Sequence, residues 1–355
     1  RRRLHHRRCA AVAHRHPAAP VLVNPSELDM PGSAVRFMHT HHRERPALVV
    51  DKTCGGGVPD ICGSEVLRKA FMDDGARFVD DVTRMDGFRP KKPWAVCQCQ
   101  NGCTANATAE VIAAWSPARV GAAIAIAKAR LSSGRAPGLP DPRAYPHAAA
   151  DHFEAFSRFP VRGKRCLVGG SERPWIEILL ASMGAAEVLT SEYRLSDFRA
   201  HSGVSRLVSV QQLSSEHAFA AAFDCVVSFS SIEHDGLGRY CDPLDPAGDE
   251  HAVHEFRKVL KPGGLLFLGI PAIIQGNNAT VIYGNSGRMY NRQRFLRITR
   301  GFEWVDTIQT HYTAFGGPDS INKDGGPPGR AWTSWAHGIH RDWMSQPIFV
   351  LRKQS

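Results

Sequence analysis

A chain of 355 residues has room for one large α/β domain with additions or for two smaller domains. Its 43% hydrophobic content suits a globular core, and no apolar run approaches the ~20 residues that a membrane-spanning helix needs. The net charge of +10 is concentrated near the start, where ten Lys and Arg fall in the first 52 positions against Glu27, Asp29, Glu44 and Asp51. With no zinc-finger spacing, ribonucleoprotein-type aromatic motif or DNA-reading helix, this argues against nucleic acid as the main partner.

The first stretch, RRRLHHRRCAAVAHRHPAAP, is basic, rich in small residues and free of acids. It fits a transit-peptide remnant, a nucleic-acid arm or a disordered leader, and residues 1–45 read as disordered or loosely packed. The expected chain is soluble, in the cytoplasm or an organelle. Residues 46–133 form an N-terminal region of unreadable role, with strand-like ALVVD, a turn at Gly55 to Gly57 and helical SEVLRKAFMDDG. Within it, 117–132 is predicted helical, with Pro117 in the first turn and Gly134 past the end. The Pro- and Gly-rich segment 134–146 reads as a linker.

From 147 to 355 strands and helices alternate, with a long insertion near 312–345. A helix over 147–158 precedes strand KRCLVGG; a helix from Pro174 to Met183 leads to strand EVLTSEY. Strand RLVSV, a polar helix over 214–222 and strand DCVVSFS come next. Helix 251–260 then runs through the turn LKPGG into GLLFLGI, and FEWVDTIQT and PIFVLRK are further strands. This βαβ rhythm predicts a doubly wound, mostly parallel, Rossmann-like α/β sheet with an N-terminal extension.

Nine cysteines are spread along the chain, and only CQCQNGC (Cys97, Cys99, Cys103) clusters. That spacing lacks paired zinc knuckles, even with Cys54 and Cys62 added, so reduced thiols and no metal site are expected. Cys166 and Cys225, inside core strands, read as small hydrophobes.

In such sheets ligands lie outside the carboxyl ends of the strands. Gly169 and Gly170 close the first strand there, and glycine lets backbone approach a ligand, with Ser171 beside them; a simple tight turn is the structural alternative. Glu192 closes the second strand, 23 positions after Gly169, where an acid can accept ribose hydroxyls or simply face solvent. After the fourth strand come Ser228, Ser230, Glu233 and His234; the histidine, oriented by a carboxylate, can take a proton, or both can merely bond the loop. No GxSxG elbow accompanies them, which excludes a serine-hydrolase reading.

The run EFRKVLKPGGLLFLGIP, after a strand that ends near His234, resembles the class I S-adenosylmethionine-dependent methyltransferases, with Glu255, Arg257, Val259, Leu260, Lys261, Pro262, Gly263 and Gly264 in the family's E-x-x-R-V-L-K-P-G-G pattern. SFSSIEHDGLGRY and the carboxyl-terminal QPIFVLRK resemble, more narrowly, domain-of-unknown-function family 268. The resemblance implies a methyltransferase-type fold and S-adenosylmethionine as cofactor. It implies that Gly169 and Gly170 meet the cofactor's methionine part, that Glu192 meets its ribose, and that Ser228, Ser230, Glu233 and His234 flank the sulfonium and an unidentified methyl acceptor. Where that family carries an acid and three glycines, this chain reads LVGGSERPW, with Leu167 in the acid's place. That departure keeps open a catalytically degenerate methyltransferase-fold binding module, and because doubly wound sheets host many chemistries a glycan- or sugar-nucleotide-modifying α/β transferase stays open as well.

Overall fold

The computed structural model describes residues 21–22, 35–38, 47–50, 69–72, 76–79, 113–139, 145, 147–192, 206–209, 213, 217–237, 242, 244–271, 280–283, 287–309 and 346–355. Near the start, strands β1 (Val21–Leu22), β2 (Val35–Met38) and β3 (Ala47–Val50) pair antiparallel in that order. Strand β4 (Ala76–Val79) belongs to a separate three-stranded sheet, in which it pairs parallel with Thr280–Tyr283 and that segment pairs antiparallel with Gly287–Met289. Most of the helix expected in SEVLRKAFMDDG, the CQCQNGC cluster and the whole of the insertion expected near 312–345 lie outside the described residues.

Helix α1 (Pro117–Ser132) forms where expected, for the expected reasons. The Ser116 side chain accepts from the Arg119 N–H at its start, Pro117 occupies a position where its missing donor costs nothing, and Gly134 follows its end in the left-handed region at φ 70°. Helix α2 (Ala148–Arg158) leads to β5 (Arg165–Gly169), and α3 (Trp175–Ser182) to β6 (Glu187–Glu192) and β7 (Arg206–Ser209). Strand β8 (Phe223–Phe229), helix α4 (Gly248–Val259) and β9 (Leu260–Gly269) make the crossover unit. The chain continues through β10 (Thr280–Tyr283), β11 (Gly287–Met289), α5 (Arg292–Ile298), β12 (Phe302–Ile308) and β13 (Ile348–Lys353).

Seven strands form the main sheet in the order β12-β13-β9-β8-β5-β6-β7. The chain starts in the middle at β5, builds outward through β6 and β7, then returns to lay β8 and β9 on the other side. β5 to β9 pair parallel, and β13 runs antiparallel to both β9 and β12. The point where the winding reverses lies between β5 and β8, and this is where open α/β sheets bind ligands. The predicted Rossmann-like fold is therefore the fold observed.

Successive residues of a strand face opposite sides of the sheet, and in β5, β6, β8, β9 and β13 both sides are largely buried. Leu167, Val226, Leu266 and Leu268 pack beneath Val253 and Phe256 of α4 and Phe295 of α5. Their neighbours Cys166, Val168, Val227 and Phe267 pack beneath Phe156 of α2 and Ile176, Leu179 and Leu180 of α3. Parallel pairing directs all the central strands' carboxyl ends to one edge.

Three local expectations are corrected. The segment over 214–222 holds only a 3₁₀ turn, His217–Phe219, among its described residues, because the N–H groups of Ala221 and Ala222 bond the carbonyls of Lys258 and Val259 instead of extending a helix. LKPGG falls inside β9 rather than ahead of it: Leu260 pairs with Phe223, the ladder resumes at Leu265 opposite Cys225, and the four residues between, with Gly263 at φ 73°, bulge out of it. Cys166 and Cys225 are not free thiols. They stand opposite each other in the β5–β8 register, with Cα atoms 4.8 Å apart, and their sulfurs are bonded.

That cross-link joins positions 59 residues apart in sequence. Loop-closure entropy gives such a bond a stabilisation of about 4 kcal/mol. Urea unfolding of oxidised and dithiothreitol-reduced protein is expected to differ by roughly that amount. Replacing Cys225 by Ala should remove the difference between the two conditions; a variant that still responds to reductant locates the effect in another cysteine pair.

Candidate active site at the carboxyl edge of the sheet

The turn after β5 is built by close packing. Gly169 lies under the Phe256 ring, where a Cβ would collide with it, and its carbonyl accepts the Ser228 hydroxyl at 3.0 Å. Gly170 adopts φ 76° and its N–H bonds the Ser191 carbonyl at 2.9 Å. A Cβ there would strike the Ser231 hydroxyl. Both glycines are thus required by the chain's own packing across the β5–β8 junction.

Glu192 ends β6 half-buried, and its Oε2 accepts the Ser171 N–H at 3.1 Å. Buried Ser171 turns its own hydroxyl to the Arg173 carbonyl. Beneath them lies Glu177 of α3, fully buried, whose Oε1 accepts the Thr190 hydroxyl at 2.9 Å. Glu177 Oε2 and the buried Ser191 hydroxyl have no hydrogen-bond partner among the described residues. Desolvation, aided by the like charge of Glu192, pushes the Glu177 carboxyl up to about 7.

Ser230 follows β8 at φ 49°, a costly left-handed conformation for a residue with a side chain. Its N–H bonds the Gly269 carbonyl, and its hydroxyl donates to Glu233 Oε1 at 2.6 Å. Two residues not foreseen from the sequence converge on the same oxygen. The Tyr145 hydroxyl lies 2.5 Å away and Gln346 Nε2 donates at 3.0 Å. Tyr145 comes from the Pro- and Gly-rich segment and Gln346 from just before β13, so no local pattern marks either.

Glu233 and His234 sit in a 3₁₀ turn, Ile232–His234. Glu233 is completely buried and His234 nearly so, with His234 Nε2 3.5 Å from Glu233 Oε1. The structure therefore brings Ser230, Glu233 and His234 together, and places Gly169, Gly170, Ser171 and Glu192 beside them. Ser228 is fully buried and commits its hydroxyl to the Gly169 carbonyl.

Buried aromatic rings back this edge. His152 of α2 is enclosed edge-on by Trp175 and Phe229, with ring centroids 4.9 and 5.0 Å away, and Tyr145 packs edge-on against Phe229 at 5.3 Å. His152 Nδ1 lies 2.7 Å from the Ala148 carbonyl, so that nitrogen carries the proton. Burial drops its pKa to about 4. The Trp115 indole N–H bonds the Glu172 carbonyl at 3.1 Å, fastening the chain ahead of α1 onto the turn between β5 and α3.

A cavity of about 200 Å³ opens at the opposite, amino edge, between Phe159, Lys164, Asp224, Lys261 and the Pro262–Leu265 segment. Asp224 is satisfied there, with Lys261 Nζ 2.7 Å from its Oδ1 and the Arg165 backbone N–H on its Oδ2. No group of three His, Cys, Asp or Glu residues placed to hold a metal ion occurs among the described residues. Nor is any described helix long and apolar enough to cross a membrane.

Residues 163–315 match the family described as "Caenorhabditis protein of unknown function, DUF268", the narrower resemblance read from the sequence. No curated protein matches the chain. Solved structures similar to it include the cyclase SpnF, at 17% identity and TM-score 0.37, covering 67% of this chain and 96% of that one. Another is the Burkholderia thailandensis 1,6-didemethyltoxoflavin-N1-methyltransferase with bound 1,6-didemethyltoxoflavin and S-adenosylhomocysteine, at 14% identity and TM-score 0.40, covering 68% and 91%. A third is an S-adenosylmethionine-dependent methyltransferase from Mesorhizobium loti, at 14% identity and TM-score 0.34, covering 57% and 98%.

The raised pKa of Glu177 has a definite consequence for stability. Between its unfolded value, 4.5, and about 7 the folded state holds a proton that the unfolded state has lost, so stability falls as pH rises through this window. Glu177→Gln, which keeps the acceptor for Thr190, is expected to stabilise the protein by on the order of 2–3 kcal/mol at about pH 8 and by little near pH 5. Denaturant unfolding of both proteins across that range checks it; a gain independent of pH would rule out titration as its source.

Proposed function

We propose that this chain transfers the methyl group of S-adenosylmethionine to an acceptor held at the carboxyl edge of the sheet. The observation that carries this reading is the convergence, at the point where the winding reverses, of the Gly169–Gly170 turn, the Glu192 carboxylate and the Ser230–Glu233 cluster. The donor set fits an adenosyl group. Glu192 is half-buried at the end of β6, and the Ser171 N–H orients its Oε2, which sets a carboxylate acceptor at the edge where ribose hydroxyls would lie.

When bound, the cofactor supplies an electrophilic methyl carbon on a sulfonium. The chain's part is mainly alignment, because displacement at that carbon needs donor and acceptor in line. The Gly170 N–H ties the end of β5 to Ser191 of β6, and the Ser228 hydroxyl ties β8 to the Gly169 carbonyl of β5, so the strand ends that frame the site are held together. Glu233 supplies the base for an acceptor that must lose a proton.

A second reading, a methyltransferase fold kept as a binding module, rests on the packing of Phe256 and Ser231 against both glycines, which explains them without a ligand. Isothermal titration separates the two. S-adenosylmethionine is expected to bind the full chain, and Glu192→Ala to weaken it by roughly 10–100-fold, the worth of hydrogen bonds to a charged acceptor. The absence of heat at millimolar S-adenosylmethionine would sink the cofactor assignment.

A further inference from the structure

We propose that Tyr145 takes the acceptor's proton and passes it through Ser230 to Glu233, so that the acceptor is a hydroxyl or amine that arrives protonated. This rests on the methyl-transfer reading above.

Proton counting fixes the direction of the chain. A serine hydroxyl has one proton and two lone pairs. The Ser230 proton goes to Glu233 Oε1 at 2.6 Å, and one lone pair accepts from Gln346 Nε2 at 3.0 Å. The remaining lone pair faces the Tyr145 hydroxyl at 2.5 Å, so Tyr145 is the donor in that bond. Every O–H in the series points toward the carboxylate.

Burial decides which member meets an acceptor. Glu233 is 0% exposed and Gln346 3% exposed, so neither reaches the site's rim. Ser230 has no lone pair left to offer. Tyr145 is half-buried, and its phenolic oxygen is the outer end of the series. The strained φ of 49° at Ser230 holds the hydroxyl between Tyr145 and Glu233, a costly geometry of the kind kept at functional positions.

The transfer balances. The acceptor's proton moves to the Tyr145 oxygen, the Tyr145 proton to Ser230 and the Ser230 proton to Glu233, which becomes a neutral acid. The electron pair freed on the acceptor forms the new bond to a methyl carbon, and the pair of the broken carbon–sulfur bond stays on the sulfur of the sulfonium donor, neutralising it. Acceptors that are already anionic gain nothing from the relay.

Two experiments on the full chain test this. The first needs neither acceptor nor cofactor. The ionisation of Tyr145 is followed as the ultraviolet titration difference between each protein and its Tyr145→Phe counterpart. Glu233→Gln is expected to lower the midpoint by about one pH unit when Ser230 is present, and by much less in a Ser230→Gly background. Glycine tolerates the positive φ, so that background keeps the fold. An equal shift in both backgrounds means the coupling does not run through the serine, and overturns the relay.

The second compares two probe acceptors at about pH 8, phenol, which is neutral there, and pentafluorophenol, which is ionised. S-adenosylhomocysteine release is measured alongside S-adenosylmethionine affinity. Tyr145→Phe should slow methylation of phenol by about 10²–10⁴-fold while leaving pentafluorophenol within about threefold and the cofactor Kd unchanged. Equal losses for both probes would make Tyr145 a structural residue, and no loss for phenol would remove it from the reaction. Cofactor binding with neither probe methylated would overturn the acceptor class. Failure of the wild-type chain to bind cofactor at all would show in the affinity measurement, and takes down the methyl-transfer reading itself.

Discussion

A desolvated ion cluster at the carboxyl edge sets where Glu233 and His234 stand. The Arg288 side chain is fully buried and donates to the carbonyls of Asp235, Asp245 and Pro246. Asp249, at the start of α4 and equally buried, forms a two-pronged pair with Arg294 at 2.8 and 2.6 Å and lies 3.9 Å from Arg288. Burial alone would favour a neutral carboxyl, but the two guanidinium groups outweigh it and hold Asp249 well below the usual carboxylate range. A buried charge without partners costs several kcal/mol, so these residues admit only one arrangement of β11, α5, α4 and the loop after β8. Glu233 and His234 sit on that loop, and a Cβ added to Gly287 would come within 3.5 Å of both.

The other half of the site is fixed from the sheet. Parallel pairing of β5 with β6 and β8 puts their carboxyl ends side by side, but ladder bonds end with the strands. Beyond them the Ser228 hydroxyl bridges to the Gly169 carbonyl and the Gly170 N–H to the Ser191 carbonyl, so the three strand ends move as one body. The cross-link between Cys166 and Cys225 ties β5 to β8 three residues before Gly169 and Ser228. Side-chain chemistry then needs no induced rearrangement to bring Glu192 and Ser230 to the same edge.

The helices and strands were legible in the sequence where local rules and the global fold agree. KRCLVGG, EVLTSEY and DCVVSFS are apolar runs bounded by turn residues, and α3, between the first two, begins just after Pro174 and is followed by Gly184 in the left-handed region, so period and punctuation gave the same answer. The polar helix over 214–222 failed because tertiary hydrogen bonds to Lys258 and Val259 override local preference. The pairing of Cys166 with Cys225 depends on register, which no single strand reveals. Tyr145 and Gln346 join Ser230 across 85 and 116 residues, and contacts that distant leave no local spacing to read.

The departure of LVGGSERPW from a three-glycine loop is explained by the same packing. Leu167, where an acid would be expected, is fully buried in the core beneath α4, and a carboxylate there would lose its hydration without a partner. In a phosphate-binding turn the glycines let backbone N–H groups at a helix start approach the anion closely. Here Ser171 points its N–H at Glu192 instead, so the turn spends its donor on orienting a carboxylate. A carboxylate held this way attracts hydroxyl donors and cations and repels phosphate. The unusual loop therefore disfavours a pyrophosphate-bearing sugar nucleotide more than it disfavours an adenosyl ribose carrying a sulfonium.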